Sequence, residues 1–209
     1  MKKCCTLIVL LILFGVALPA EPFVQSLGPY SGRIIDGETG QPLEGVSVLM
    51  YWTKIVSQMI ESHSELSDVD FTYTDKIGRY EVRKILTNTG LMGRIESTNI
   101  VIYQPGYQAF IKTVWHYNGN SKPDPDFRDK DNIVKLQRIP ANFDHKKHCE
   151  EIEQALWGIH EYPYAYPLAE DRMTWDKLLE INLKAIPEKE VFLRRVEWEE
   201  RRYREEKNR

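Results

Sequence analysis

The sequence predicts a mainly β protein: an antiparallel β-sandwich of about seven strands at 30–139, followed by a C-terminal α-helical extension at 140–209. Three observations carry this. Short β-prone runs alternate with turn formers from Tyr30 onward. No helical pattern is interleaved with them before Pro140, which argues against a parallel α/β sheet. Beyond Pro140 the apolar spacing becomes that of helices.

The chain is organised around Gly32–Val48, which reads as strand, turn, strand. Ile34 and Ile35 close a β-prone run at Asp36. Asp36, Gly37 and Gly40 supply an Asx-type side chain and two residues that tolerate positive φ. Pro42 suits a strand edge, having no N–H for a ladder. Val46, Val48 and Met50 then alternate with Ser47, Leu49 and Tyr51. Period two marks a strand, although Leu49 and Tyr51 blur which side faces the core.

The remaining elements follow in order. Thr53–Asp70 reads as an insertion with a possible helical turn on Ile55, Met59 and Ile60. Phe71–Val82 reads as a β-hairpin around Asp75-Lys76-Ile77-Gly78, with Asp and Gly at the favoured ends of a type I turn. Leu86–Thr98 is polar and Gly-rich, a loop. Ile100-Val101-Ile102-Tyr103 is a buried strand, and Pro105-Gly106 is a type II turn into its partner. That partner runs from Tyr107 to Trp115, with Tyr107, Ala109, Ile111 and Trp115 on one face. Ile133–Ile139 is the last strand. Helices are expected over Glu150–His160, capped by Asn142 or Asp144, over Thr174–Ile186, and from Pro187 to about Glu206. Tyr162-Pro163-Tyr164-Ala165-Tyr166-Pro167 is an extended aromatic strap.

Residues 1–20 have the form of a bacterial signal peptide: Lys2 and Lys3, an apolar run from Thr6 to Ala17, and a small-residue exit at Ala20. A retained anchor is the competing reading, but the apolar run is short for a span of about 20 residues. Residues 21–29 then form a linker, and the protein is exported to the periplasm or beyond. Loss of Lys2 and Lys3 takes the formal charge from −3 to −5. For the full chain a charge of −3 and a pI near 6.0 argue against a nucleic-acid binder. Cys4 and Cys5 leave with the signal, so Cys149 has no partner for an intrachain disulfide.

Three signatures in order, Gly32–Val48, Thr74-Asp75-Lys76-Ile77-Gly78-Arg79-Tyr80 and Tyr103-Gln104-Pro105-Gly106-Tyr107, followed by the strand to Ile139, resemble the carboxypeptidase regulatory-like family. The resemblance covers about Tyr30–Ile139. It implies a transthyretin-like, or prealbumin-like (Ig-like), sandwich serving as a non-catalytic accessory module. Two enzyme groups use related sandwiches. The transthyretin-like hydrolase of purine breakdown ends in Tyr-Arg-Gly-Ser, which is not how this chain ends. The two-Tyr, two-His iron motif of intradiol dioxygenases has no counterpart here.

Three clusters carry candidate chemistry. His145, His148 and Cys149, with His160 further on, have the spacing to share a metal on a helix. The same face continues into Ile152, Leu156 and Ile159, so Cys149 is read as a packed small residue. Asp124, Asp126, Asp129 and Asp131 crowd one loop, but their spacing is not that of an EF-hand and a solvated acidic loop is the reading adopted. Trp115, His116 and Tyr117, or Tyr162, Tyr164 and Tyr166 of the strap, offer aromatic area for a sugar or a Pro-rich segment. The strap equally suits covering the sandwich.

The expectation is therefore a non-enzymatic envelope module without a cofactor, which binds a protein or glycan or supports assembly. A metal-binding protein or metal-dependent enzyme on the His145–His160 helix is the alternative. A chain ending near Ile139 is expected to fold and to lose its partner. The exported protein should begin near Glu21; an intact mass that retains Met1 would establish the anchor instead.

Overall fold

The computed structural model describes residues 24–57, 62–89, 93–116, 127–159 and 189–197, with 201 and 205. The signal-like segment, Tyr117, Asp124, Asp126, His160, the strap and Thr174–Ile186 lie outside these residues. The described residues form nine strands: β1 (Val24–Leu27), β2 (Tyr30–Asp36), β3 (Ser47–Ser57), β4 (Ser62–Tyr73), β5 (Arg79–Val82), β6 (Ile85–Asn88), β7 (Arg94–Tyr103), β8 (Phe110–Trp115) and β9 (Asn132–Leu136). A helix, α1 (His145–Ala155), follows, and residues 189–197 are also helical.

Seven strands build the two facing sheets, in the orders β5-β2-β9 and β4-β3-β7-β8; β1 and β6 form a separate ribbon. This is the predicted mainly β sandwich with a C-terminal helix. All pairings are antiparallel except β2 with β9, which are parallel from Gly32↔Asn132 to Asp36↔Leu136. Strand β8 ends beside Thr98 and Trp52, at the end of the sandwich where Tyr30 opens β2. A chain crossing between sheets there must start β9 in the same direction as β2.

Several local expectations change. The turn at Asp75–Gly78 forms as read: Asp75 Oδ1 accepts from Ile77 N (3.0 Å) and Arg79 N (2.8 Å), and Gly78 sits at φ +73°. It does not close a hairpin, because β4 and β5 belong to different sheets. Turn residues specify a reversal but not the partner. Gly78 O accepts from Ile34 N (2.8 Å), handing the chain to β2. Residues 53–57 and 62–70, expected within an insertion, instead lengthen β3 and β4, with Ile55 between Ser64 of β4 and Arg94 of β7. The serines diluted a period-two pattern there. Leu86–Thr98 likewise contains most of β6 and half of β7, and the 21–29 linker contains β1.

The core between the sheets takes Ile34, Val48, Met50, Trp52, Tyr80, Val82, Ile100, Ile102, Val134 and Leu136. A second core lies on the outer side of the four-stranded sheet. Leu49, Tyr51, Val69, Val101 and Tyr103 meet Ile152, Leu156, Ile159, Phe192 and Val196 there. Leu49 and Tyr51 blurred the strand pattern because both faces of β3 are covered.

Polar contacts fix the helices. Asp144 caps α1 by accepting from Lys147 N (3.0 Å). Tyr51 donates to Ala155 O (2.7 Å), and a Cβ at Gly158 would collide with the Tyr51 ring. Arg195 donates to Gly45 O (3.0 Å), to Ser47 Oγ and to Gln104 Oε1 (3.3 Å), and lies over the Tyr73 ring.

The extension is thus half of a core and not an appendage. Each large apolar side chain buried contributes about 1.5–3 kcal/mol, and a domain's net stability is about 5–15 kcal/mol. Five uncovered side chains on the sheet are enough to cancel it. A chain ending at Ile139 should show no cooperative thermal transition and should aggregate. A sharp transition near that of the full chain would contradict this.

Candidate functional site

Strand β8 is an edge of the four-stranded sheet. Its residues alternate: Phe110 and Val114 pack toward the core between the sheets. Ile111, Thr113 and Trp115 point to the outer face, where Ile111 is 38% and Trp115 is 51% exposed. Tyr107, expected on this face, lies before β8 and is drawn away. Its hydroxyl donates to Asp36 Oδ2 (2.7 Å).

Behind Trp115 the outer face carries a row of polar side chains. Trp115 is opposite Ser97, and Thr113 is opposite Asn99. Thr113 Oγ1 donates to Asn99 Oδ1 (2.8 Å), and Asn99 Nδ2 donates to Ser97 Oγ (2.7 Å). Ser97 Oγ and Thr53 Oγ1 are 2.8 Å apart, and Glu96 Oε2 accepts from Thr53 (3.1 Å) and Ser64. Thr53, Ser97 and Asn99 are buried. Register shifts flank Thr53 on both sides, at Trp52/Thr53 against β4 and at Thr53/Lys54 against β7. Such bulges redirect side chains, and here they bring Glu96 to Thr53. The polar groups satisfy one another, so the row is a stiff backing. The accessible part is the stripe Ile111–Thr113–Trp115.

His116 turns the other way. Its Nε2 is 2.8 Å from Thr98 Oγ1. Close by, the Tyr30 ring packs against Trp52 (6.1 Å) and stacks on Phe127 (5.8 Å). Burial raises the Tyr30 phenol, while Thr98 opposes the shift. Burial lowers the His116 imidazole from its ordinary value, and the charge of Asp129 opposes that. Burial pushes the Tyr51 phenol up to about 12.

Asp36 is the most tightly held carboxylate described. Oδ1 accepts from Glu38 N and Thr39 N (both 2.9 Å). Oδ2 accepts from Tyr107 Oη, from Arg138 Nε (3.0 Å) and from Arg138 Nη2 (2.7 Å). The Thr39 N–H, then Tyr107, Glu38 N–H and Arg138, hold its carboxyl well below the usual range. The turn role of Asp36 was readable. Its partners at Tyr107 and Arg138 were not, because no local pattern marks them. The group ties a turn to two distant segments and presents no reactive atom.

Among the described residues the metal candidates do not converge. His148 is buried, with Nε2 accepting from Ala109 N (2.8 Å) and its ring against Phe143 and Tyr103. That bond occupies one of its two ring nitrogens. Cys149 packs against the helix-covered core, and the His145 ring meets Phe143 edge-on. Asp129 and Asp131 are exposed. Among the described residues no three His, Cys, Asp or Glu side chains are grouped to hold a metal, and no helix is long and apolar enough to cross a membrane.

No family model matches the sequence, and no curated protein matches it. Solved structures similar to it include a 3-chlorocatechol 1,2-dioxygenase from Rhodococcus opacus, 15% identical over 57% of this chain and 62% of that one, with a TM-score of 0.37. A streptococcal ancillary pilin is 14% identical over 54% of this chain and 30% of its own, TM-score 0.30. The pilus 2b backbone protein of group B streptococcus is 15% identical over 54% and 41%, TM-score 0.31. The chain spans less than two thirds of each of these proteins.

The environment of His116 sets a pH dependence. Its folded pKa lies below the ordinary 6.5. As pH falls through that value, the unfolded chain takes up a proton that the folded chain resists, so stability declines. Between about pH 7.5 and about pH 5.5 the wild type should lose more of its urea midpoint than His116→Gln. Parallel midpoints would show that His116 does not titrate differently on folding.

Proposed function

We propose that this protein is an exported, non-catalytic module of the bacterial cell envelope that binds a protein or glycan through the Ile111–Thr113–Trp115 stripe. The observation that carries the reading is Trp115. It is half exposed at the end of an edge strand and is backed by a hydrogen-bonded row that keeps the surface under it rigid. An exposed indole on a stiff support supplies contact area at little entropic cost.

The placement of the three signatures supports an accessory role of the carboxypeptidase regulatory-like kind. The turns after Asp36, around Asp75–Gly78 and after Tyr103 gather at the end of the sandwich opposite Trp115. Asp36 and its ligands occupy that end as a brace. The titratable groups most deeply engaged, Asp36 and His148, hold backbone and side-chain partners within the fold. These features support a scaffold and binding role over bond-making chemistry. The signal-like residues 1–20 support export.

Trp115→Ala tests the reading. On an array of envelope polysaccharides, and by in-cell photo-crosslinking from position 113, the variant should lose binding by about thirtyfold, the effect of about 2 kcal/mol at an aromatic anchor. Its thermal transition should stay within a few degrees of the wild type, since Trp115 is already half exposed. Unchanged binding and crosslinks would remove Trp115 from the function.

A further inference from the structure

We propose that the uncovered outer face of the three-stranded sheet binds an acidic polysaccharide. This face is on the far side of the molecule from Trp115. Ile34, Tyr80, Val82, Val134 and Leu136 point into the core, so alternation turns Arg33, Arg79, Ile133 and Lys135 outward. All four are exposed, Ile133 by 67%.

The register places Arg33 directly opposite Arg79 on one side and opposite Ile133 on the other; Lys135 is opposite Ile35, one row along. Like charges facing each other across two strands destabilise a sheet. Two arginines elsewhere in the sandwich do have carboxylates. Arg83 pairs with Asp68 (2.6 Å), and Arg138 pairs with Asp36 (2.7 Å). Among the described residues Arg33, Arg79 and Lys135 have no ion pair. Glu81, opposite Ser31 in the neighbouring row, pairs with neither arginine. The cations stand together on a chain whose net charge is −3.

The geometry selects the occupant. Neighbouring strands are about 4.8 Å apart, and side chains on one face recur about every 6.6 Å. Arg79, Arg33 and Lys135 thus form a stepped line that a polymer with a carboxylate on each repeat can follow. A guanidinium takes a carboxylate through two parallel hydrogen bonds. Ile133 gives an apolar footing for the C–H face of a sugar ring beside Arg33. A peptide suits this face poorly. Strand β2 is paired on both sides, so an added segment would leave its own backbone groups without partners. Attraction to anionic lipid uses clusters of about four to eight cations, and nucleic-acid binding goes with a basic domain.

The test is calorimetric titration of the full chain at physiological salt with polygalacturonate, and with dextran as the neutral control. Binding to polygalacturonate and not to dextran is expected. It should weaken about tenfold or more in Arg33→Gln/Arg79→Gln and persist in Trp115→Ala, so this proposal and the Trp115 reading fail separately. Melting of the double variant should be no lower than wild type, because a like-charge pair has been removed. Absence of saturable binding to polygalacturonate, an unchanged affinity in the double variant, or tighter binding to phosphatidylglycerol vesicles or polyglutamate would overturn the proposal.

Discussion

Strand β3 is covered on both sides, and the rest of the architecture answers to that constraint. Val48, Met50 and Trp52 fill the space between the sheets; Leu49 and Tyr51 require a second cover. A sandwich of this size would ordinarily leave its outer faces to water. Here the outer face of one sheet is too apolar for that, so the chain after Pro140 has to return over it. Tyr51 then binds Ala155 O, and Arg195 reaches Gly45, Ser47 and Gln104. These are polar contacts that orient a cover already demanded by apolar area.

The cover makes the two outer faces unlike. One outer face holds helices and, past their edge, Trp115. The other is open and carries cations. At one end of the sandwich Asp36 gathers the β2–β3 turn, Tyr107 and Arg138 into a charge-assisted knot. At the other end His116, Thr98, Tyr30 and Trp52 sit in a drier setting, where burial and not pairing controls ionisation.

Much of the candidate surface was readable in advance for a simple reason. Alternation on β8 assigns sides to Ile111, Thr113 and Trp115 without knowledge of the partner strand. His116 was grouped with Trp115 by adjacency, and the structure separates them because neighbours on a strand face opposite ways. The polar row at Thr53, Ser97 and Asn99 was hidden. Its members come from different strands, and two bulges bring Glu96 to it. His148 had the spacing of a ligand beside a packing role, and only the approach of Ala109 gives its Nε2 a partner.

Turn chemistry and apolar period are local properties, and they suffice for the β class, for the reversals at Asp36, Asp75 and Pro105, and for helix in the described parts of the chain after Pro140; between Asn142 and Asp144 as the cap they leave the choice open. Pairing is a property of segments far apart in the chain. It took the assembled sheets to part β4 from β5, to run β2 parallel to β9, and to make strand of 53–57 and 62–70. The tertiary structure also decided that the C-terminal helix is core. Each of these depends on which surfaces can bury one another, and that choice is made between elements and not within them.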